Sequence, residues 1–148
     1  MGLIHNVECI QLEKLEEEGV NFFTLPSSDG KGLFSERTEF FEIPPQTIDE
    51  GLFCHRFQTD RLMVVRGSMI LVYLQNRQYD YILISDRIPQ VVKIPAGVPH
   101  LVINLSSEPC WVINALIRHG IFYPKDYQPL KKPFPLDMER VEKLLSES

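Results

Sequence analysis

The chain has 148 residues, of which 15 are Lys or Arg and 20 are Asp or Glu, for a formal net charge of −5. That length suits one domain with a core of its own, and the acidic balance argues against a nucleic-acid binder, because phosphate contacts need a basic surface. No apolar run reaches membrane-spanning length, and "MGLIHNVECIQLEK" lacks the charged and apolar parts of a secretory leader, so a cytoplasmic protein is expected. Asn6 stands where myristoylation asks for Ser or Thr. Cys9, Cys54 and Cys110 are odd in number and lack CxxC spacing. They read as reduced, mostly buried thiols, and they are too few for a four-cysteine zinc site.

Along the chain, "VECIQL" and "VNFFTL" alternate apolar and polar positions and predict two strands, with the acidic "EKLEEEGV" as a charged turn between them. "PSSDGKG" is a loop by composition, and "RTEFFEIPP" is a strand that its two prolines stop. From Gly51 to Ile117 the pattern is strand and turn throughout: "LFCHRF", "RLMVVRG", "SMILVYLQ", "YDYILIS", "QVVKIP", "HLVINL" and "CWVINALI". Short β-branched and aromatic runs at such regular spacing predict a sandwich or barrel. "PKDYQPLKKPFPLD" is a proline-punctuated crossing. After it, Met138, Val141 and Leu145 form one helical stripe with Leu144 beside it, and Asp137 is the N-cap. One domain over residues 1–148 is expected, with a barrel core at about 51–117 and a single short helix at about 137–146.

The stretch "KIPAGVPHLVIN" has more turn chemistry than a plain hairpin needs, and it delivers a histidine to the first position of a strand. Pro95, Gly97, His100 and Asn104 match PxGxxHxxxN at every spacing, the second motif of the cupins. Pro89 stands where that motif has a further glycine. The first cupin motif is degraded: Asp60 replaces its Glu, Gly67 is its final glycine, His55 is its second histidine, and Phe53 takes the place of the first. The chain thus resembles a cupin, an all-β double-stranded β-helix or jelly-roll barrel. The layout of "FSERTEFFEIPP", "EGLFCHRF" and the barrel is similar to that of the RmlC-like cupins. That group includes dTDP-4-dehydrorhamnose 3,5-epimerase and the nucleotide-sugar 3,4-ketoisomerases. The chain departs from them at Glu50-Gly51, where the group has Arg-Gly, and the epimerase's catalytic histidine and conserved lysine fall on Phe53 and Asp60. The sequence offers no counterpart of the aspartate near the epimerase C-terminus that partners its histidine.

Strand alternation places Phe53, His55 and Phe57 on one face. If that face looks into the barrel, His55 lies between two aromatic rings, which would prepare it as a base or a ligand; the alternative is a core histidine with one satisfied hydrogen bond. The resemblance implies that the Pro-Gly turn aims His100 into the barrel mouth, opposite His55, and the alternative is a histidine that caps a strand. His55 and His100 are therefore the candidate catalytic residues. Phe53, Phe57, Arg66, Tyr73 and Trp111 are candidate substrate contacts, with Tyr81 and Asn114 as further pocket-liners. "QTDR" reads either as an exposed tip with Asp60 solvated, or as the carboxylate of a His55, Asp60 and His100 metal set. His5 and His119 have no motif support and read as surface residues.

The resemblance implies a sugar or nucleotide-sugar epimerase or isomerase with no required cofactor, binding a small carbohydrate ligand and pairing as a homodimer. A metal-dependent cupin and a non-catalytic binding barrel are the alternatives. Metal content separates the first alternative from the rest, and a turnover assay separates enzyme from binding barrel.

Overall fold

Apolar residues on consecutive positions, as in "SMILVYL", fit a strand only where both of its faces are covered. The computed structural model, which describes residues 6–17, 20–24, 37–120 and 125–147, shows how that is arranged. A five-stranded antiparallel sheet has the order β1 (Glu8–Gln11), β9 (Gln90–Ile94), β6 (Gln58–Arg66), β11 (Cys110–Arg118), β4 (Arg37–Ile43). A four-stranded antiparallel sheet has the order β5 (Thr47–Ile48), β10 (His100–Asn104), β7 (Ser68–Gln75), β8 (Gln78–Ser85). Strands β2 (Glu13–Glu17) and β3 (Val20–Thr24) form a separate hairpin, and one helix, α1 (Met138–Ser146), follows near the end.

Alternate residues of β7 serve two cores. Met69 and Leu71 join Leu62, Val64, Ile84, Val92 and Val112 between the two sheets. Ile70 and Val72 join Leu101 and Ile103 on the outer face of the four-stranded sheet, where Val141 of α1 is fully buried against them. The expected helical stripe of Met138, Val141, Leu144 and Leu145 is the face that packs there. Asp137 caps the helix through the Arg140 amide at 3.1 Å, and its own N–H donates to the Tyr81 hydroxyl at 2.8 Å.

Turn chemistry sets the hairpins. Asn76 and Arg77 both have positive φ (53° and 63°), the two-residue turn that matches strand twist between β7 and β8. Gly67 between β6 and β7 has φ 92°, and a Cβ there would lie 2.9 Å from the Pro109 carbonyl.

Several expectations need correction. The acidic "EKLEE" is itself strand β2, not a turn; the ribbon it forms stands apart from both sheets, so its charged positions Glu13, Lys14 and Glu16 stay exposed. "LFCHRF" is no regular strand but a linker held by isolated bridges, and β6 instead begins at Gln58. "QTDR" is therefore not an exposed tip. His5 and the "PSSDGKG" loop lie outside the described residues. Of the three free cysteines, Cys54 and Cys110 are buried and Cys9 is exposed; burial pushes the Cys110 thiol up to about 12. No described helix is long and apolar enough to cross a membrane.

Replacing Gly67 with Ala should cost about 2 kcal/mol, for a strained backbone and a clash with Pro109. Urea unfolding of the variant measures this, and a loss under half that size would contradict it.

Candidate active site

The linker through Phe53 and His55 is hydrogen-bonded on both sides, which explains how an irregular segment holds its side chains in place. On one side Phe53 exchanges both backbone hydrogen bonds with His100 at 2.6 and 2.9 Å, and the Gly97 N–H donates to the His55 carbonyl at 2.6 Å. On the other, Leu52 exchanges both with Leu130, and the Gln128 N–H donates to the Cys54 carbonyl. The "PAGVP" turn thus fixes the backbones of both histidines, with Gly97 at φ 85°. The proline-rich crossing closes the opposite side.

These segments and the two sheets enclose a cavity of about 570 Å³. Strands β4, β6 and β11 contribute Glu39, Phe41, Gln58, Asp60, Leu62, Asn114 and Arg118. Asp49, Phe53, His55, His100 and Val102 come from β10 and the chain beside it, and the crossing adds Asp126 and Tyr127.

Two histidine–carboxylate pairs stand in this cavity. His55 Nδ1 lies 3.1 Å from Asp126 Oδ2. The other Asp126 oxygen accepts the Phe57 N–H at 2.5 Å, so the carboxylate is fixed and orients the ring. A carboxylate at Nδ1 selects the tautomer with hydrogen there and leaves the lone pair on Nε2, the arrangement of a general base. In the second pair, His100 Nδ1 donates to the Val98 carbonyl at 3.0 Å and Nε2 stands 3.5 Å from Asp60 Oδ2. Asp60 Oδ1 accepts from Gln58 at 2.7 Å and from Asn114 at 3.0 Å. Burial pushes the Asp60 pKa up, but His100, Asn114 and Gln58 together outweigh this and hold it below the ordinary carboxylate range.

Asp49 behaves in the opposite way. Burial raises its pKa, against the opposing effects of the Val102 N–H at 2.9 Å and of the charges on His100 and Lys132. Burial and the Asp49 charge also raise the Tyr127 phenol, which stays protonated and able to donate.

Of the residues singled out from sequence, the structure brings His55, His100, Asp60, Asn114 and Phe53 together at the cavity. His100 reaches it beside His55 rather than opposite it, because Phe53 and His100 are bridged neighbours. Phe57, Arg66, Tyr73 and Trp111 do not line it. The chain bends at Arg56 and Phe57, so parity fails, and Phe57 lies beneath the Arg56 guanidinium instead of beside His55. Arg66 is exposed at the end of β6, and Trp111 stacks on Phe40 outside the five-stranded sheet. Tyr73 packs against the core between the sheets, and Tyr81 holds the N-terminus of α1. His119 is exposed, as expected, with its ring 2.6 Å from the Thr59 hydroxyl.

The sequence offers no counterpart of the epimerase's C-terminal aspartate, yet the structure brings Asp126, near the C-terminus, to His55. The only sequence signal for Asp126 was an Asp-Tyr pair inside the crossing. Asp49 and Tyr127 were also missed. Among the described residues, no three His, Cys, Asp or Glu side chains are arranged to hold a metal ion. Both His100 nitrogens are engaged, by Val98 and by Asp60, which leaves His100 without a free lone pair directed at a shared ion. The set of His55, Asp60 and His100 therefore does not fit a metal as one ligand group.

No family model and no curated protein matches the sequence. Solved structures do. A dTDP sugar isomerase from Desulfovibrio desulfuricans G20 superposes with a TM-score of 0.69 over 88% of this chain and 85% of its own, at 14% identity. A mutant 3,4-ketoisomerase from Thermoanaerobacterium thermosaccharolyticum, in complex with TDP-4-keto-6-deoxyglucose, gives 0.66 over 85% and 88%, at 13% identity. A dTDP-4-dehydrorhamnose 3,5-epimerase from Elizabethkingia anophelis NUHP1 gives 0.67 over 86% and 76%, at 12% identity. The fold is that of the RmlC-like cupins.

Replacing Asp60 with Ala should cost about 3 kcal/mol, because the buried Gln58, Asn114 and His100 groups each lose a partner. The carboxylate's pKa is lower folded than unfolded, so its stabilisation is complete above the ordinary value of 3.8 and is lost as pH falls through the folded value. Stability measured against pH should accordingly fall less steeply below 3.8 in the variant than in the parent. An unchanged acid limb would contradict the assignment.

Proposed function

We propose that the protein is a cytoplasmic sugar epimerase or isomerase relative that moves a proton beside a carbonyl group with His55. The observation that carries this reading is the His55–Asp126 pair on the wall of a cavity in an RmlC-like cupin fold. His55 Nε2 takes the proton from the carbon next to the carbonyl, and Asp126 steadies the imidazolium that forms. The electron pair of the broken C–H bond moves onto the carbonyl oxygen as an enolate. The Tyr127 hydroxyl lines the cavity and is able to donate to that charge. Delivery of a proton from solvent to the other face of the same carbon, with His55 releasing its own proton to solvent, gives an epimer; transfer of the His55 proton to the neighbouring carbon moves the carbonyl and gives an isomer. No cofactor is needed for either outcome.

The fold neighbours favour a sugar ligand, and one of them is a complex with a nucleotide sugar. A non-catalytic binding barrel remains the second reading, favoured by Phe53 in place of the first motif histidine.

We also propose a homodimer. Phe40, Ile113 and Met63 are direct cross-strand partners in one row on the outer face of the five-stranded sheet. Phe40 is 61% exposed and is stacked on Trp111 at 5.3 Å. Such a row is the kind of surface a second copy covers by two-fold symmetry.

Incubation in D₂O with a keto sugar should place deuterium beside the carbonyl. His55→Ala should abolish this while costing only about 1 kcal/mol of stability, whereas a core histidine would show a large stability loss and no specific functional one. Asp126→Asn should slow exchange about 10²- to 10⁴-fold. Dialysis against a chelator should leave the rate unchanged. Exchange in none of a panel of keto sugars and nucleotide-linked keto sugars would favour the binding barrel.

Light scattering at micromolar concentration should report a dimer, and Phe40→Glu should give a folded monomer. A monomeric parent protein would overturn the assembly.

A further inference from the structure

We infer that the cavity selects a sugar that is uncharged or cationic, and that it turns away phosphorylated and nucleotide-linked ones. The inference rests on the sugar-binding reading above and narrows its substrate class. Among the described lining residues on the inner face, Glu39, Asp49, Asp60 and Asp126 are acidic, against Arg118 and two imidazoles; Glu42 pairs with Trp111 on the exposed outer face of β4. Both imidazoles already face carboxylates, His55 at Asp126 and His100 at Asp60. Even with both rings protonated the carboxylates outnumber the cations by one.

A diphosphate brings further negative charge into that field, where water is partly excluded and like charges repel more strongly than in bulk solvent. Of the structural devices that bind phosphate, one arginine, Arg118, lines the cavity, and the others are elsewhere or already used. No lysine is among the described lining residues. The described helix, α1, packs on the far face of the four-stranded sheet, so its N-terminus does not serve the cavity. The Gly97 N–H in the nearby turn is spent on the His55 carbonyl.

The same lining suits a neutral sugar. Carboxylates accept hydrogen bonds from sugar hydroxyls, and charge-assisted bonds of that kind are the stronger ones. An independent feature points the same way. Phe53 and Tyr127 both line the cavity with rings 5.7 Å apart, and they are 38% and 44% exposed. Two accessible rings amid acceptors offer an apolar surface for the C–H face of a pyranose.

The test is a titration of the intact protein at neutral pH with glucosamine, N-acetylglucosamine, glucose phosphate and TDP, followed by NMR shifts of His55 and Tyr127. The amino sugar and the neutral sugar should bind, with the two anions weaker by about tenfold or more. Glu39→Gln and Asp49→Asn should each narrow that gap; the Asn keeps an acceptor for the Val102 N–H, so this variant guards against loss of fold. TDP or glucose phosphate binding as tightly as the other sugars overturns the inference, and so does a failure of every probe to bind. The two readings fail separately. A TDP-linked keto sugar that exchanges deuterium at His55 would sink the charge preference and leave the proposed chemistry. The charge ranking with no exchange in any sugar would do the reverse.

Discussion

The contact between His100 and Asp60 joins the two sheets at a charged point, and the rest of the cavity is organised around it. His100 belongs to β10 of the four-stranded sheet and Asp60 to β6 of the five-stranded one. Asp60 is only 5% exposed, so its desolvation has to be met in full by partners. Gln58 and Asn114 meet it from within its own sheet and His100 from across. The Val98 carbonyl then fixes the other nitrogen of His100, which ties the "PAGVP" turn to the same network. A sandwich closed only by apolar packing would fill its interior; a buried polar pin at one end lets the sheets stand apart there while they close normally around Met69 and Leu71.

Much of the barrel was legible because its strands carry unusually plain signals. In β7 two cores claim alternate residues, so both parities are apolar and the strand reads as a strand without ambiguity. Gly97 and its flanking prolines marked the turn before His100, since a positive φ and a stiff approach each demand a particular residue type. The helix was legible from its stripe and its cap.

The rest of the site was hidden for physical reasons. Asp126 reaches His55 from 71 positions away, through a crossing with no period, and nothing local encodes that meeting. Phe57 was misassigned because parity assumes a regular strand, and the linker bends just before it. For Trp111 and Arg66, alternation gives a face but not which face meets solvent, and a bulge between Trp111 and Val112 shifts the register beside them. Asp49 carried no signal because its significance lies in burial, a property of the assembled fold.

The crossing that delivers Asp126 continues into α1. It is fastened where Leu130 pairs with Leu52, where the Tyr79 hydroxyl donates to the Phe134 carbonyl, and where Val141 enters the second core. None of these fastenings belongs to the core between the sheets. The terminal segment can therefore open as a cooperative unit of its own, at a free energy below that of global unfolding. His55 would then lose its orienting carboxylate while the barrel, His100 and Asp60 stayed in place. On the proposed chemistry, the fraction of molecules with an oriented His55 would thus follow the docking equilibrium of residues 125–147, a quantity that global melting of the β-sandwich does not report.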